Sequence, residues 1–157
     1  MKGKNGEHPF GDSGQLILLV LFLLIWVLDS FFLKISTFLS DDISLYLRLV
    51  ILGLILVTAI YLIRSGHVVA KNEQHPSGVV STGAFQYVRH PLYLGSIMFY
   101  LGLAVSTASL FSLVLVVLIF IFYNFIASYE EKLLEDRFHE EYRNYKKRTG
   151  KWVPLIG

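Results

Sequence analysis

Apolar residues in this chain gather into four runs with short polar stretches between them. The first spans Leu16 to Leu33 and is broken only by Asp29 and Ser30 near its end. The second spans Leu45 to Ile63, with Arg48 near its start, where a long side chain can snorkel to an interface. The third starts at Pro91 and continues to about Thr107, and the fourth spans Leu110 to Ala127. A bilayer-spanning helix takes about 20 apolar residues, so each run predicts a transmembrane helix. Only Ser106 to Ser109 part the last two, which predicts a tight helical hairpin. Gly95, Gly102 and Ser109 recur at seven-residue spacing, a small-residue stripe that lets two helices pack closely.

Beyond Ala127 the pattern changes. In SYEEKLLEDRFHEEYRNYKKR the apolar positions Leu134, Phe138, Tyr142 and Tyr145 recur at helical spacing. This predicts an amphipathic C-terminal helix at the membrane surface or folded over the Arg64–His90 stretch. The ending TGKWVPLIG holds turn formers and a Trp, and is expected to tuck back to the interface. Residues 1–14 are polar and glycine-rich and read as a disordered tail. Lys2 and Lys4 precede the first run, but that run is long for a signal segment and no small-x-small cleavage pattern follows, so a retained helix is expected. The fold class is therefore all-α: four transmembrane helices plus the amphipathic helix, forming one membrane-embedded domain over residues 15–157.

Composition agrees with the pattern. Hydrophobic residues make up 54% and charged residues 17%, below the one-quarter usual in soluble domains. A net charge of +2 gives no reason to expect nucleic acid as a partner. With no cysteine there is no disulfide, thiolate metal site or Cys nucleophile. The placement of charge says more than its sum. The tail, the Arg64–His90 stretch and the C-terminal segment hold twelve of the fourteen Lys and Arg, whereas the Lys34–Ser44 link holds only Lys34. The positive-inside rule then puts both termini and the long polar stretch on the cytoplasmic side.

Two polar clusters border apolar runs at that face: Ser81 to Gly95, and Ser128-Tyr129-Glu130-Glu131. In Arg89-His90-Pro91 the proline suits the first turn of a helix, which sets His90 at the cap and Arg89 just outside. Tyr93 lies one turn in, on roughly the same face. Helix-end N–H groups and a fixed guanidinium suit an anion. Arg and Tyr here also suit a plain interface anchor. Asn124, Ser128 and Glu131 share a helix face at i, i+4 and i+7. Acids beside hydrocarbon usually face a cavity or a cation, although four more acids follow within ten residues and a solvated face is the alternative. An anion site beside a carboxylate pair suits a zwitterionic or cationic ligand. His67, His75, His90 and His139 are not paired at metal-binding spacing, so no metal is expected.

The stretch VVSTGAFQYVRHPLYLG, followed some 35 residues later by EEKLLEDRFHEEYRNYKKR, resembles the isoprenylcysteine carboxyl methyltransferase and phospholipid methyltransferase family. The likeness covers about residues 78–154. It implies an S-adenosylmethionine-dependent methyltransferase acting on a lipid-like or prenylated acceptor from the bilayer, in the first instance a carboxylate. Carried over by position, Val79, Val80 and Phe85 would line the adenosine side, and His90 and Tyr93 would contact the cofactor. Glu130 would hold its ribose or amino end, with Glu131 beside it, and Arg89 would face the acceptor or the cofactor carboxylate. Arg89 and Glu131 are the residues expected to serve the transfer itself. Three places depart from the family pattern. Ser77 and Gly78 stand where eukaryotic members often carry a His, with His75 out of register. Ile126 and Ala127 stand where an Arg precedes the glutamates. His139 replaces the usual Gly after Phe138. The first two bear on the acceptor and leave the cofactor reading as it is. The other readings are a phospholipid N-methyltransferase and, from another class, a small membrane transporter or a structural subunit. Against a transport path, the acids cluster at one face and none lies mid-span.

Overall fold

The computed structural model describes residues 11–72 and 78–155, and among these it is all-helical apart from one isolated parallel bridge between Val88 and Gly150. Helix α1 is Gly11–Val27 and passes into a π-helical turn over Leu28–Leu33. Gly11–Gly14, expected in the tail, thus extend the first helix. A short 3-10 turn at Phe38–Ser40 leads to α2, Leu45–Asn72. A second 3-10 turn, Gly83–Gln86, precedes α3, Pro91–Thr107, and α4 is Leu110–Arg148. His75 and Ser77 lie outside the described residues.

Among the described residues three stretches are long and apolar enough to cross a membrane: Ser13–Leu33, Leu45–Val69 and Leu110–Arg148. Pro91–Thr107 is an apolar helix of 17 residues. The outer faces of these helices carry large apolar side chains, among them Leu16, Val20, Leu54, Val57, Val114 and Ile121, all about half exposed or more. A water-soluble fold would bury surface of that extent, and hydrocarbon accepts it at no cost.

Helices α2 and α3 pack most closely, and glycine is the reason. A Cβ on Gly95 would stand 2.6 Å from Ile63 Cγ1 and 3.0 Å from the Ala59 carbonyl oxygen. One on Gly102 would press on Leu52 and Ile55. The expected stripe therefore works at its first two members. Its third, Ser109, does a different job. It caps α4 by accepting from Ser112 N, and it donates to Asp29 across 80 residues of chain.

That contact belongs to a buried polar knot at the end of the bundle away from the glutamates. Asp29 also accepts from the backbone and hydroxyl of Ser36, so its carboxylate is satisfied although the residue is buried. Trp26 donates to the Leu103 carbonyl and to Thr107. Arg48 does not snorkel. It is buried and donates to the carbonyls of Ile43, Ser106 and Ser40. The Ser40 and Ser106 carbonyls lie at helix ends, where partners inside the helix run out, and Ile43 lies in the link before α2, so the guanidinium satisfies groups that the hydrocarbon could not. The α3–α4 corner is tight as expected: Ala108 takes a left-handed conformation (φ 53°) and closes α3.

Two elements differ from their expected bounds. Helix α2 continues to Asn72, beyond the end of its apolar run at Ile63. The fourth run and the C-terminal helix follow one another directly and are parted only by a turn at His139, whose φ of 47° and ψ of −117° are not helical. The residues after the turn fold back over the Val79–His90 segment.

Candidate functional site

The site begins with the way the Val79–His90 segment is pinned. Gly83 has a φ of 59°, and a Cβ there would meet Ser65 Oγ at 2.8 Å. Both facts call for glycine. The turn it makes docks on α2, with Ala84 N donating to Ser65 Oγ (2.9 Å). From the other side, Val79 N donates to Glu141 (2.7 Å) and the Tyr145 hydroxyl donates to the Phe85 carbonyl (2.6 Å). Val79 and Phe85, expected on the adenosine side, are thus fixed by residues beyond the His139 turn. Val80 is half-buried beside them.

The chain then enters α3 through His90, with Pro91 at the first helical position as expected. His90 is buried, and its Nε2 lies 3.1 Å from Glu131 Oε1. Arg89 Nε donates to the same oxygen at 2.8 Å, and both side chains of that pair are 11% exposed. Arg89 Nη1 also donates to the Thr149 carbonyl, while Arg89 N donates to the Gly150 carbonyl at 2.9 Å. Glu130 accepts from the Tyr93 hydroxyl, and its Oε2 lies 3.8 Å from His90 Nδ1. The His90 and Tyr93 rings are parallel, with centroids 5.8 Å apart. Five of the eight residues singled out by sequence, Arg89, His90, Tyr93, Glu130 and Glu131, therefore meet at one end of α3 and α4.

Burial pushes His90 below its usual value, although Glu131 works against the shift. A neutral ring then donates from Nε2 to the Glu131 carboxylate. Glu131 gathers a guanidinium and an imidazole, whereas Glu130 sits among aromatic rings: Tyr93 is parallel to His90 and 5.0 Å from Tyr123. A carboxylate bordered by π faces is a setting that draws a cation.

The C-terminal segment adds residues that sequence reading missed. Lys151 Nζ lies 2.7 Å from Ser128 Oγ and 2.9 Å from Asn124 Oδ1. Trp152 Nε1 donates to the same Asn124 oxygen, and its ring lies 5.7 Å from His90. The shared face of Asn124, Ser128 and Glu131 was legible, but its partners were not. Ile126 and Ala127, which stand where the family has an arginine, are fully buried. His67 is exposed, and among the described residues no three His, Cys, Asp or Glu side chains come together as metal ligands.

Apolar helices with large apolar side chains on their outer faces and buried polar clusters at their ends describe a membrane protein. Residues 44–141 match the phospholipid methyltransferase family, and the chain belongs to that family. It is a multi-pass membrane protein. It is 34% identical over 93 residues to a protein-S-isoprenylcysteine O-methyltransferase of Saccharomyces cerevisiae, which covers 57% of this chain and 38% of the relative. It is 36% identical over 90 residues to methanethiol S-methyltransferase 1 of Bradyrhizobium diazoefficiens, covering 57% and 30%. A protein-S-isoprenylcysteine O-methyltransferase of Schizosaccharomyces pombe is 35% identical over 96 residues, covering 57% and 39%. The chain spans less than two-fifths of the length of these relatives. No solved structure matches it.

Proposed function

We propose that this protein transfers a methyl group from S-adenosylmethionine to a lipid-like acceptor, foremost the carboxylate of a prenylated cysteine. The observation that carries the reading is the meeting of Arg89, His90 and Tyr93 with Glu130 and Glu131 at the end of two apolar helices. The relatives named for isoprenylcysteine support the acceptor class. The polar groups present suit the donor. Glu130 with its aromatic border takes the positive amino end or the ribose hydroxyls. Val79, Val80 and Phe85 offer an apolar wall to the adenine, and His90 and Tyr93 close the other side.

When bound, the donor supplies an electrophilic methyl on a sulfonium. The acceptor carboxylate oxygen forms a bond to that carbon as the sulfur–carbon bond breaks. The bond's electron pair stays on sulfur, so the products are a methyl ester and S-adenosylhomocysteine. No proton moves, so no general base is required. The protein's part is alignment and exclusion of water. Arg89 and Glu131 hold each other and the C-terminal segment in place, which makes them positioning residues for the acceptor side. In this reading Pro91–Thr107 is a fourth span, and the site faces the cytoplasm with both termini. The chain holds no cysteine of its own, so single cysteines at Asp41 and Val153 report sidedness cleanly. They should label from opposite faces, and labelling from one face would break the topology.

The family description and the methanethiol relative favour a second reading in which the acceptor is a lipid amine or a thiol. The two readings separate by product. Membranes containing the protein are incubated with methyl-labelled donor, and the lipid-soluble product is treated with mild alkali. A methyl ester releases its label as volatile methanol. Label that stays non-volatile would assign a lipid amine or lipid thiol acceptor, and label that is volatile before any alkali is added would assign a small thiol.

A further inference from the structure

The C-terminal segment carries a cation to the edge of the glutamate cluster. Lys151 Nζ is held by Ser128 Oγ, Asn124 Oδ1 and, at 3.3 Å, the Asn124 carbonyl. All three acceptors are neutral, two contacts are short and the third, to the Asn124 carbonyl, is long, so a ligand oxygen can take over that third N–H. Among the described residues Lys151 makes no ion pair. The neighbouring carboxylate, Glu131, is engaged by Arg89 and His90. The charge of Lys151 is answered only at a distance, by the already engaged Glu131 and by the Trp152 ring 5.7 Å away, so a half-buried ammonium without a carboxylate of its own attracts an anion.

The segment is built to fix that ammonium in place. Asn124 Oδ1 accepts from Lys151 and from Trp152 Nε1 at once. The Trp152 ring bridges His90 (5.7 Å) and the exposed Phe120 (5.4 Å). Asn124 and Ser128 precede the glutamates on α4, so the ammonium sits on the apolar side of Glu130 and Glu131. Ile126 and Ala127 are buried and apolar, so α4 itself provides no cation at this level.

We propose that Lys151, set by Asn124 and Ser128, binds a ligand carboxylate, and that its place on the membrane side of the glutamates assigns that carboxylate to the methyl acceptor rather than to the amino-acid end of the donor. This rests on the methyltransferase reading. It gives the acceptor site a residue from outside the paired sequence motifs.

The test compares ligands with and without the carboxylate, using thermal stabilisation of the purified full chain. The acceptor pair is an S-prenylated N-acetylcysteine and its carboxamide. The donor pair is S-adenosylhomocysteine and 5′-methylthioadenosine, which lacks the amino-acid end. Wild type should bind the acid over the amide by about ten- to a hundredfold, as for a hydrogen bond to a charged group. Lys151→Gln should erase most of that preference, Lys151→Arg should restore it, and the donor pair should not respond to either. Ser128→Ala removes one acceptor of the ammonium. It should lower the acid preference several-fold, and it carries the comparison if the glutamine variant does not fold. An acid preference that ignores Lys151 overturns the proposal, as does a loss confined to the donor pair. Failure of S-adenosylhomocysteine to bind wild type would instead remove the methyltransferase reading beneath it.

Discussion

Truncating Glu131 to alanine removes the carboxylate that joins Arg89 to His90. The pair is 11% exposed on both sides, so the remaining guanidinium would sit in a poorly hydrated place with only the Thr149 and Lys146 carbonyls as partners. Removing one member of a buried pair costs about 3–5 kcal/mol. Glu131→Gln keeps an acceptor for Arg89 Nε and loses only the charge, which reduces charge-assisted bonds to ordinary ones at a cost of about 1–2 kcal/mol. For a chain of this size each kcal/mol moves the midpoint by about 2–4 °C. Thermal unfolding in detergent should therefore drop by roughly 6–20 °C for alanine and by roughly 2–8 °C for glutamine. A double-mutant cycle with Arg89→Met isolates the pair and should show a coupling of about 1–3 kcal/mol. If Glu131→Ala unfolds within about 2 °C of wild type, the carboxylate is solvated and the cluster is no dry site.

Other substitutions probe the frame. Gly95→Val should cost about 1–3 kcal/mol by driving α2 from α3, since even a Cβ would meet Ile63 and Ala59; Gly53→Ala, with nothing within 4 Å of the new methyl, should be neutral or slightly stabilising in the same melt. His139→Gly should stabilise by about 1 kcal/mol, because the φ of 47° is one that a side chain resists and glycine accepts; an unchanged or lower midpoint would contradict this. Burial holds His90 below its usual value, so on acidification through about pH 6.5 the unfolded chain takes a proton that the fold refuses. Stability should be fully present above about pH 6.5 and fall below it, and His90→Gln should flatten that slope in a pH series of melts.

Position along the chain explains what the sequence could and could not reveal. The helices were legible because hydrocarbon selects long apolar runs, three of them long enough to span among the described residues, and the third run begins at Pro91 as the proline predicts. The overrun of α2 to Asn72 was not, since hydropathy marks where the membrane ends and a helix can continue beyond it. The convergence of Arg89 and His90 with Glu131 was foreshadowed by paired motifs at fixed spacing. Contacts that depend on how the chain returns were invisible: Asp29 with Ser109, Arg48 with Ser106, and Lys151 with Asn124. No local pattern encodes a partner 27 to 80 residues away. His139 was visible only as a departure from glycine, and its positive φ supplies the physical reason that glycine is usual there.

Whether the glutamate cluster receives a methyl donor is decided by equilibrium titration of the purified protein with S-adenosylmethionine. Binding should be saturable, and Glu130→Gln should weaken it by about tenfold or more, since that change removes the charge proposed to face the donor's cation. No binding at millimolar donor, in detergent and in lipid alike, or binding that the substitution leaves untouched, would contradict that role of the cluster.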